Sequence, residues 1–261
     1  DLQVAFSMQE PESLAWAFPL GPDQSLYDAA VKFLEKSRTS GELAQLIDRY
    51  YGPAVRSNFI NLSVYKVRIR SLLPQFQLLY EKAGKEYGLD WRLLAAMGYQ
   101  ESFWDPKAVS PTGVRGLMML TEDTAAFLGI EDRQDPAQSI DGAARYIKGL
   151  IERIPPGITG PDRLWMALAA YNVGISHLED ARIITQKQGR DPDKWNDVKN
   201  YLPWLADEKW YPKTKYGYAR GMESVRFVNR IRTYYDVLLK LDEEEKAKKK
   251  PKALDLKAPA I

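Results

Sequence analysis

Asp90-Trp91-Arg92-Leu93-Leu94-Ala95-Ala96-Met97-Gly98-Tyr99-Gln100-Glu101-Ser102 is the stretch on which the reading of this chain turns. Asp90 is a good N-cap, and the run behind it has helical spacing. Leu94, Met97, Gly98 and Glu101 fall at i, i+3, i+4 and i+7, which places them on one face. Glu101 therefore continues an apolar stripe instead of pointing to water. A carboxyl in that position is partly desolvated, so its pKa rises and it holds its proton near neutrality. Such a group can act as a general acid toward a leaving oxygen. Periodicity alone also fits a helix-terminal glutamate bonded to a neighbouring backbone group.

Composition removes several other chemistries. The 261 residues include no cysteine and one histidine, His177. Disulfides, thiolate metal sites, cysteine nucleophiles and multi-histidine metal sites are excluded, and a Ser-His-Asp triad would have to use His177. His177 itself reads as a surface or capping residue. Carboxylates are what remains, and the site is expected to need neither cofactor nor metal. With 37 basic and 35 acidic residues the net charge is +2, which gives no argument for nucleic acid. No apolar run approaches the ~20 residues that span a bilayer, and no signal peptide is visible. A chain that starts at Asp1 reads as a mature or trimmed form.

Outward from the central helix the pattern is mainly α. In residues 1–52, two short strands are expected at Asp1–Phe6 and Ser13–Phe18. A helix follows with Leu26, Ala29, Ala30, Phe33 and Leu34 at helical spacing, then a second after Ser40 closed by Gly52. Residues 53–71 read as a linker that becomes helical. The region 72–242 carries a helix opened at Pro74 and closed at Gly88, one capped by Thr121 and closed by Gly129, one behind Asp135-Pro136, one from Pro161 toward Tyr171, and a last from about Ala219 to Leu241. Residues 243–261, beginning with a charge-rich run, read as a disordered tail.

The segments around Glu101 point further. Gln100-Glu101-Ser102 is followed by Phe103-Trp104-Asp105-Pro106, then Ala108-Val109-Ser110, then Gly113-Val114-Arg115-Gly116-Leu117-Met118-Met119-Leu120-Thr121, and later Ala169-Ala170-Tyr171-Asn172-Val173-Gly174. In this order and spacing the set resembles the family-1 lytic transglycosylases, over roughly residues 75–240. Residues 1–52 resemble the C-terminal end of a family-3 solute-binding domain, through Gly41-Glu42-Leu43 and Tyr50-Tyr51-Gly52. The run Tyr216-Gly217-Tyr218-Ala219-Arg220-Gly221 is similar to the subfamily that joins the two domains.

The resemblance implies a lysozyme-like, goose-type helical domain preceded by a small α/β remnant. It implies an enzyme that cleaves the bond from N-acetylmuramic acid to N-acetylglucosamine in peptidoglycan and leaves a 1,6-anhydro end, for cell-wall remodelling and recycling. A hydrolytic lysozyme of the same fold and a non-catalytic muropeptide-sensing module are the alternatives. Glu101 matches the catalytic acid, and Ser102 the serine that orients it or the substrate. Gly116, Leu117 and Met118 match the loop lining the cleft. Tyr171 and Asn172 match the pair beside the acid, and Glu223 the late glutamate. Met119 stands where many members have Gln and Phe227 where many have Tyr, so two polar contacts to substrate are absent. The implied partners are glycan strands and muropeptides, with an effector at the solute-binding part and outer-membrane association in the periplasm through a missing N-terminal segment.

Several residues keep a plainer reading. Gly113 and Gly116 permit close approach of backbone to a sugar, or simply make a tight turn. Tyr171 offers its hydroxyl to substrate or sits in the core. Trp91 and Trp165 are expected in the core, and Trp104 either lines the cleft or packs inside. Asp105, four residues after Glu101, is a formal candidate for a second carboxylate. Asp105-Pro106 is a turn signal, and an Asp bonded to its own turn is the reading preferred here.

Overall fold

In a computed structural model of the chain, residues 16–18, 22–39, 43 and 62–249 are described. Among them the secondary structure is helical, apart from antiparallel bridges pairing Val109 with Arg115 and Arg115 with Leu120. The strand expected at Asp1–Phe6 lies outside the described residues. Of the second, only Trp16 to Phe18 are described, and they take no strand conformation. Of the helix expected after Ser40 only Leu43 is described, and it is helical, while the tail from residue 250 onward lies outside.

By contact the chain divides into two compact units, Asp1–Ile60 with Pro156–Asn229, and Asn61–Pro155 with Arg230–Ile261. The region read as one catalytic domain, 72–242, is thus shared between them.

In the first unit, α1 (Ser25–Thr39) has the expected helical spacing. Its apolar side is open, with Leu26 66% and Phe33 59% exposed.

The second unit begins with α2 (Leu62–Ser71) and a 3-10 turn at Leu73–Gln75. Pro74 sits in that turn, so the α-helix starts later than the sequence suggests, at α3 (Gln77–Tyr87). A left-handed Gly88 caps α3, and α4 (Trp91–Ser102) follows with the Asp90 side chain accepting from the Arg92 N–H at 2.9 Å. Asp90 is also held by Arg92 and by the Tyr235 hydroxyl, and these donors keep its carboxyl below the ordinary carboxylate range although burial opposes them. The helices α5 (Glu122–Leu128) and α6 (Pro136–Arg153) are capped by Thr121 and Asp135. Helix α3 packs on both α4 and α6.

Behind α4 lies an aromatic cluster. The Tyr99 ring centroid is 4.3 Å from Tyr65, 4.8 Å from Trp104 and 4.8 Å from Tyr234. The Tyr65 hydroxyl donates to the Tyr234 carbonyl at 3.2 Å. Trp104 is 1% exposed and its indole N–H donates to the Ala95 carbonyl at 2.8 Å, so it packs inside as a buttress of α4.

The rest of the first unit is built on α7 (Gly160–Val173), packed against α8 (Ile175–Lys187) and α9 (Trp195–Tyr201). Trp165 is buried here, as expected, whereas Trp91 of α4 is only half-buried. Two buried carboxylates hold the segment that follows α8. Asp162 accepts from the Trp195 N–H at 2.8 Å, and Asp180 accepts from the Lys215 and Tyr216 N–H groups at 3.1 and 2.9 Å. The last helix, α10, runs over Gly221–Lys249, eight residues beyond the expected end at Leu241. Its first residues belong to the first unit and those from Arg230 to the second.

Candidate active site

Glu101 stands in the last turn of α4, on the face made by Leu94, Met97 and Gly98, all fully buried. Its side chain is half-buried, and it makes no hydrogen bond or ion pair with any described residue. The helix-terminal bond that periodicity left open is therefore not made. Burial pushes its carboxyl up to about 8, from an ordinary 4.5. No cation or donor offsets that desolvation, so the neutral acid is the form held at neutrality.

Helix α4 ends abruptly. Phe103 and Trp104, with φ of 57° and 62°, are both left-handed. Each such residue with a Cβ costs roughly 1–2 kcal/mol. Two together reverse the chain directly after Glu101-Ser102. Asp105 then closes its own turn, with Oδ1 accepting from the Lys107 N–H at 2.9 Å. It is exposed, which supports the turn reading over a second catalytic carboxylate.

The loop 113–120 is fastened to α4 from several sides. The Ser102 hydroxyl donates to the Leu117 carbonyl at 2.8 Å. The Met118 N–H donates to Ser139 Oγ at 3.2 Å. Arg133 Nη1 donates to the carbonyls of Gly113 and Leu120, both at 3.2 Å. Leu117 and Met118 have fully buried side chains, so at these two positions what the loop can present to a ligand is backbone, while the Arg115 side chain is exposed. Burying each side chain contributes ~2 kcal/mol. Gly116 has φ 84°, and a Cβ there would lie 1.7 Å from the Arg133 carbonyl oxygen. Its missing side chain makes room for the protein's own backbone; the expected approach to a sugar fits Gly113, beside which a Cβ would meet nothing. Gly98 is similarly constrained: a Cβ would lie 2.0 Å from the Tyr80 hydroxyl and about 3 Å from Leu117 and Met118.

Tyr171, Asn172 and Glu223 belong to the first unit. Tyr171 is half-buried at the end of α7 and stacks on Phe227, with centroids 6.2 Å apart and planes 6° from parallel. Asn172 is exposed. Glu223 is exposed and paired with Arg220 at 3.7 Å, a surface pair of little energetic weight. His177 is half-buried near the start of α8, edge-on to Tyr216.

Sequence reasoning missed Arg133, Ser139 and Asp180. Ser139 carried a signal, because a serine on the buried stripe of α6 beside Ile140 and Ala143 needs a partner. Arg133 carried none, since its partners are carbonyls of other residues.

Residues 79–196 match the Transglycosylase SLT domain family. Membrane-bound lytic murein transglycosylase F of Marinobacter nauticus is 51% identical over 241 residues, covering 92% of this chain and 48% of that protein. Membrane-bound lytic murein transglycosylase F 1 of Alkalilimnicola ehrlichii is 48% identical over 243 residues, covering 93% and 49%. The chain spans about half the length of the curated relatives it matches. A solved structure of an inactive mutant of lytic transglycosylase Slt from Pseudomonas aeruginosa overlays with a TM-score of 0.49 at 18% identity, over 84% of this chain and 30% of that one.

Proposed function

We propose that this chain, whose residues 79–196 match the Transglycosylase SLT domain family, is a lytic transglycosylase that cleaves peptidoglycan glycan strands without water, with Glu101 as its one catalytic carboxyl. The observation that carries the reading is the state of Glu101: partly desolvated on an apolar helix face, without a hydrogen bond or ion pair among the described residues, and raised to about 8. A structural glutamate at a helix end would be bonded or solvated.

The chemistry follows from having one carboxyl where glycosidases ordinarily use two. Glu101 gives its proton to the oxygen leaving as the 4-hydroxyl of N-acetylglucosamine, while the C1–O bond of N-acetylmuramic acid breaks. The acetamido carbonyl of the same sugar bonds to C1 and holds the positive charge. Glu101, now a carboxylate, takes the proton of the C6 hydroxyl as that oxygen bonds to C1 and displaces the acetamide. A 1,6-anhydro ring results, and Glu101 regains its proton. The C6 oxygen outcompetes water because it is already held near C1. In this reading the backbone of Gly113–Met119 meets the glycan, and Tyr171, Asn172 and Glu223 keep the substrate-binding roles that the family resemblance implies.

The relatives' name, membrane-bound, supports association with the cell envelope, which we place at the periplasmic side of the outer membrane. No helix among the described residues is long and apolar enough to cross a membrane. Mass spectrometry of products from purified sacculi tests the function. Anhydro ends are lighter than hydrated reducing ends by one water, about 18 mass units, because O6 and not water captures C1. Predominantly hydrated ends would replace the proposal with a hydrolase.

A further inference from the structure

Behind the left-handed turn that ends α4 there is a cavity of about 410 Å³, separate from the Glu101 side chain, which does not line it. Leu72 and Phe76 form one side, and Phe103 and Pro106 the other. Its two charged lining residues are of opposite sign, Arg68 and Asp105. Arg68 has no carboxylate partner among the described residues. Its guanidinium lies 5.3 Å from the Phe103 ring centroid and 5.9 Å from that of Tyr99, and it also hydrogen-bonds the Tyr99 side chain, which leaves the other donors of its fork for a ligand. Asp105 spends Oδ1 on the Lys107 N–H, and Oδ2 makes no hydrogen bond with a described residue.

We infer that this cavity is a second binding site, for a short peptide end carrying both a free carboxylate and a free ammonium. The guanidinium fork suits the carboxylate, the Asp105 oxygen suits the ammonium, and the apolar walls suit the carbon chain between them. A purely anionic ligand would meet Asp105, and a purely cationic one would meet Arg68. Peptidoglycan, the substrate of the proposed function, carries such ends on its stem peptides, and the identification of the source rests on that proposal. The site's position gives it a consequence for the enzyme. Phe103 and Trp104 form part of its lining and also terminate the helix that carries Glu101, so an occupant braces the strained turn.

The test is calorimetric titration of the full chain with the tripeptide N-acetyl-L-Ala-D-Glu-diaminopimelate, whose one free ammonium is on the diaminopimelate side chain, and two blocked forms. In one the side-chain amine is acetylated; in the other the carboxylates are amidated. Saturable binding of the free tripeptide is expected, weakened at least ten-fold by either block. Arg68→Gln should give the loss seen with amidation, and Asp105→Asn the loss seen with acetylation. Circular dichroism confirms that both variants fold. Cleavage of peptide-free glycan by Arg68→Gln should equal that of the unaltered chain. Binding without glycan cleavage would overturn the proposed function and leave the site standing. Absence of saturable binding at millimolar peptide, or binding indifferent to Arg68→Gln, would overturn the site whatever the cleavage result.

Discussion

The hydroxyl of Ser102 donates to the carbonyl oxygen of Leu117 at 2.8 Å, joining the end of the Glu101 helix to a loop fifteen residues further on. Ser102 is buried, and its single hydrogen is shared between this bond and a longer one to the Gly98 carbonyl at 3.2 Å. It acts on the loop and, through the loop's backbone, on any ligand there. Ser102→Ala strands a buried carbonyl and should cost about 1–3 kcal/mol. Chemical denaturation measures that, and a larger fall in kcat than in substrate affinity should accompany it. Full stability with weakened binding would return Ser102 to direct substrate contact.

Glu101 should be visible in the pH dependence of stability as well as of rate. Its carboxyl titrates near 8 in the folded protein against 4.5 ordinarily. Between those values the native chain holds a proton that the unfolded chain releases. The stability associated with this group is thus complete below about pH 4.5 and lost as pH rises toward 8. Glu101→Gln does not titrate, so its thermal midpoint should match wild type at acid pH and exceed it at pH 8. Cleavage by wild type should fall as pH passes 8, and Glu101→Gln should lose two to four orders of magnitude, as for removal of a general acid. Equal midpoints for the two chains at both pH values would mean that the carboxyl is not desolvated.

Gly98→Ala brings a Cβ to within 2.0 Å of the Tyr80 hydroxyl. A loss of about 2 kcal/mol or more is expected, of the kind seen when cores are overpacked. The clashing atom is a single oxygen, so adding Tyr80→Phe should recover a large part of the loss. A double-mutant cycle by denaturation reads the coupling. Strict additivity would show that Leu117 and Met118, about 3 Å away, set the limit.

Asp180, 2% exposed, fixes the backbone of Lys215 and Tyr216. Asp180→Ala leaves two N–H groups without their acceptor and should destabilise by about 2 kcal/mol or more. Hydrogen exchange at these two amides should speed up far more than exchange in α3. Unchanged protection there would refute the clamp.

Much of the helical frame was legible because its punctuation is local. Asp90, Thr121 and Asp135 cap the helices they were expected to cap, and Gly88 and Gly129 end theirs. Glu101 was legible because a carboxyl on an apolar stripe conflicts with its surroundings. The reason for Gly116 was not legible, since the Arg133 carbonyl that excludes a side chain comes from seventeen residues away and has no pattern of its own. Leu117 and Met118 read as cleft lining, yet their side chains point inward, because a motif names residues without saying which atoms face the ligand. The end of α10 was placed too early for a different reason. A run of glutamates and lysines has good helix propensity despite its polarity, and composition was allowed to outweigh it.

The bond from Tyr65 to Tyr234 spans 169 residues. Closing a loop of that length costs about 4–5 kcal/mol of chain entropy on logarithmic scaling. The contacts of Ser102, Arg133 and Ser139 with the 113–120 loop, by contrast, are at most a few tens of residues long and close cheaply. The 113–120 loop can therefore assemble soon after its residues are synthesised, while the aromatic cluster of Tyr65, Tyr99 and Trp104 waits for a helix made more than a hundred residues later. During that interval three large rings lack their cover. A nascent chain stalled before residue 230 is thus the form most exposed to aggregation and proteolysis, and truncation within α10 should reduce soluble yield before it alters the geometry around Glu101.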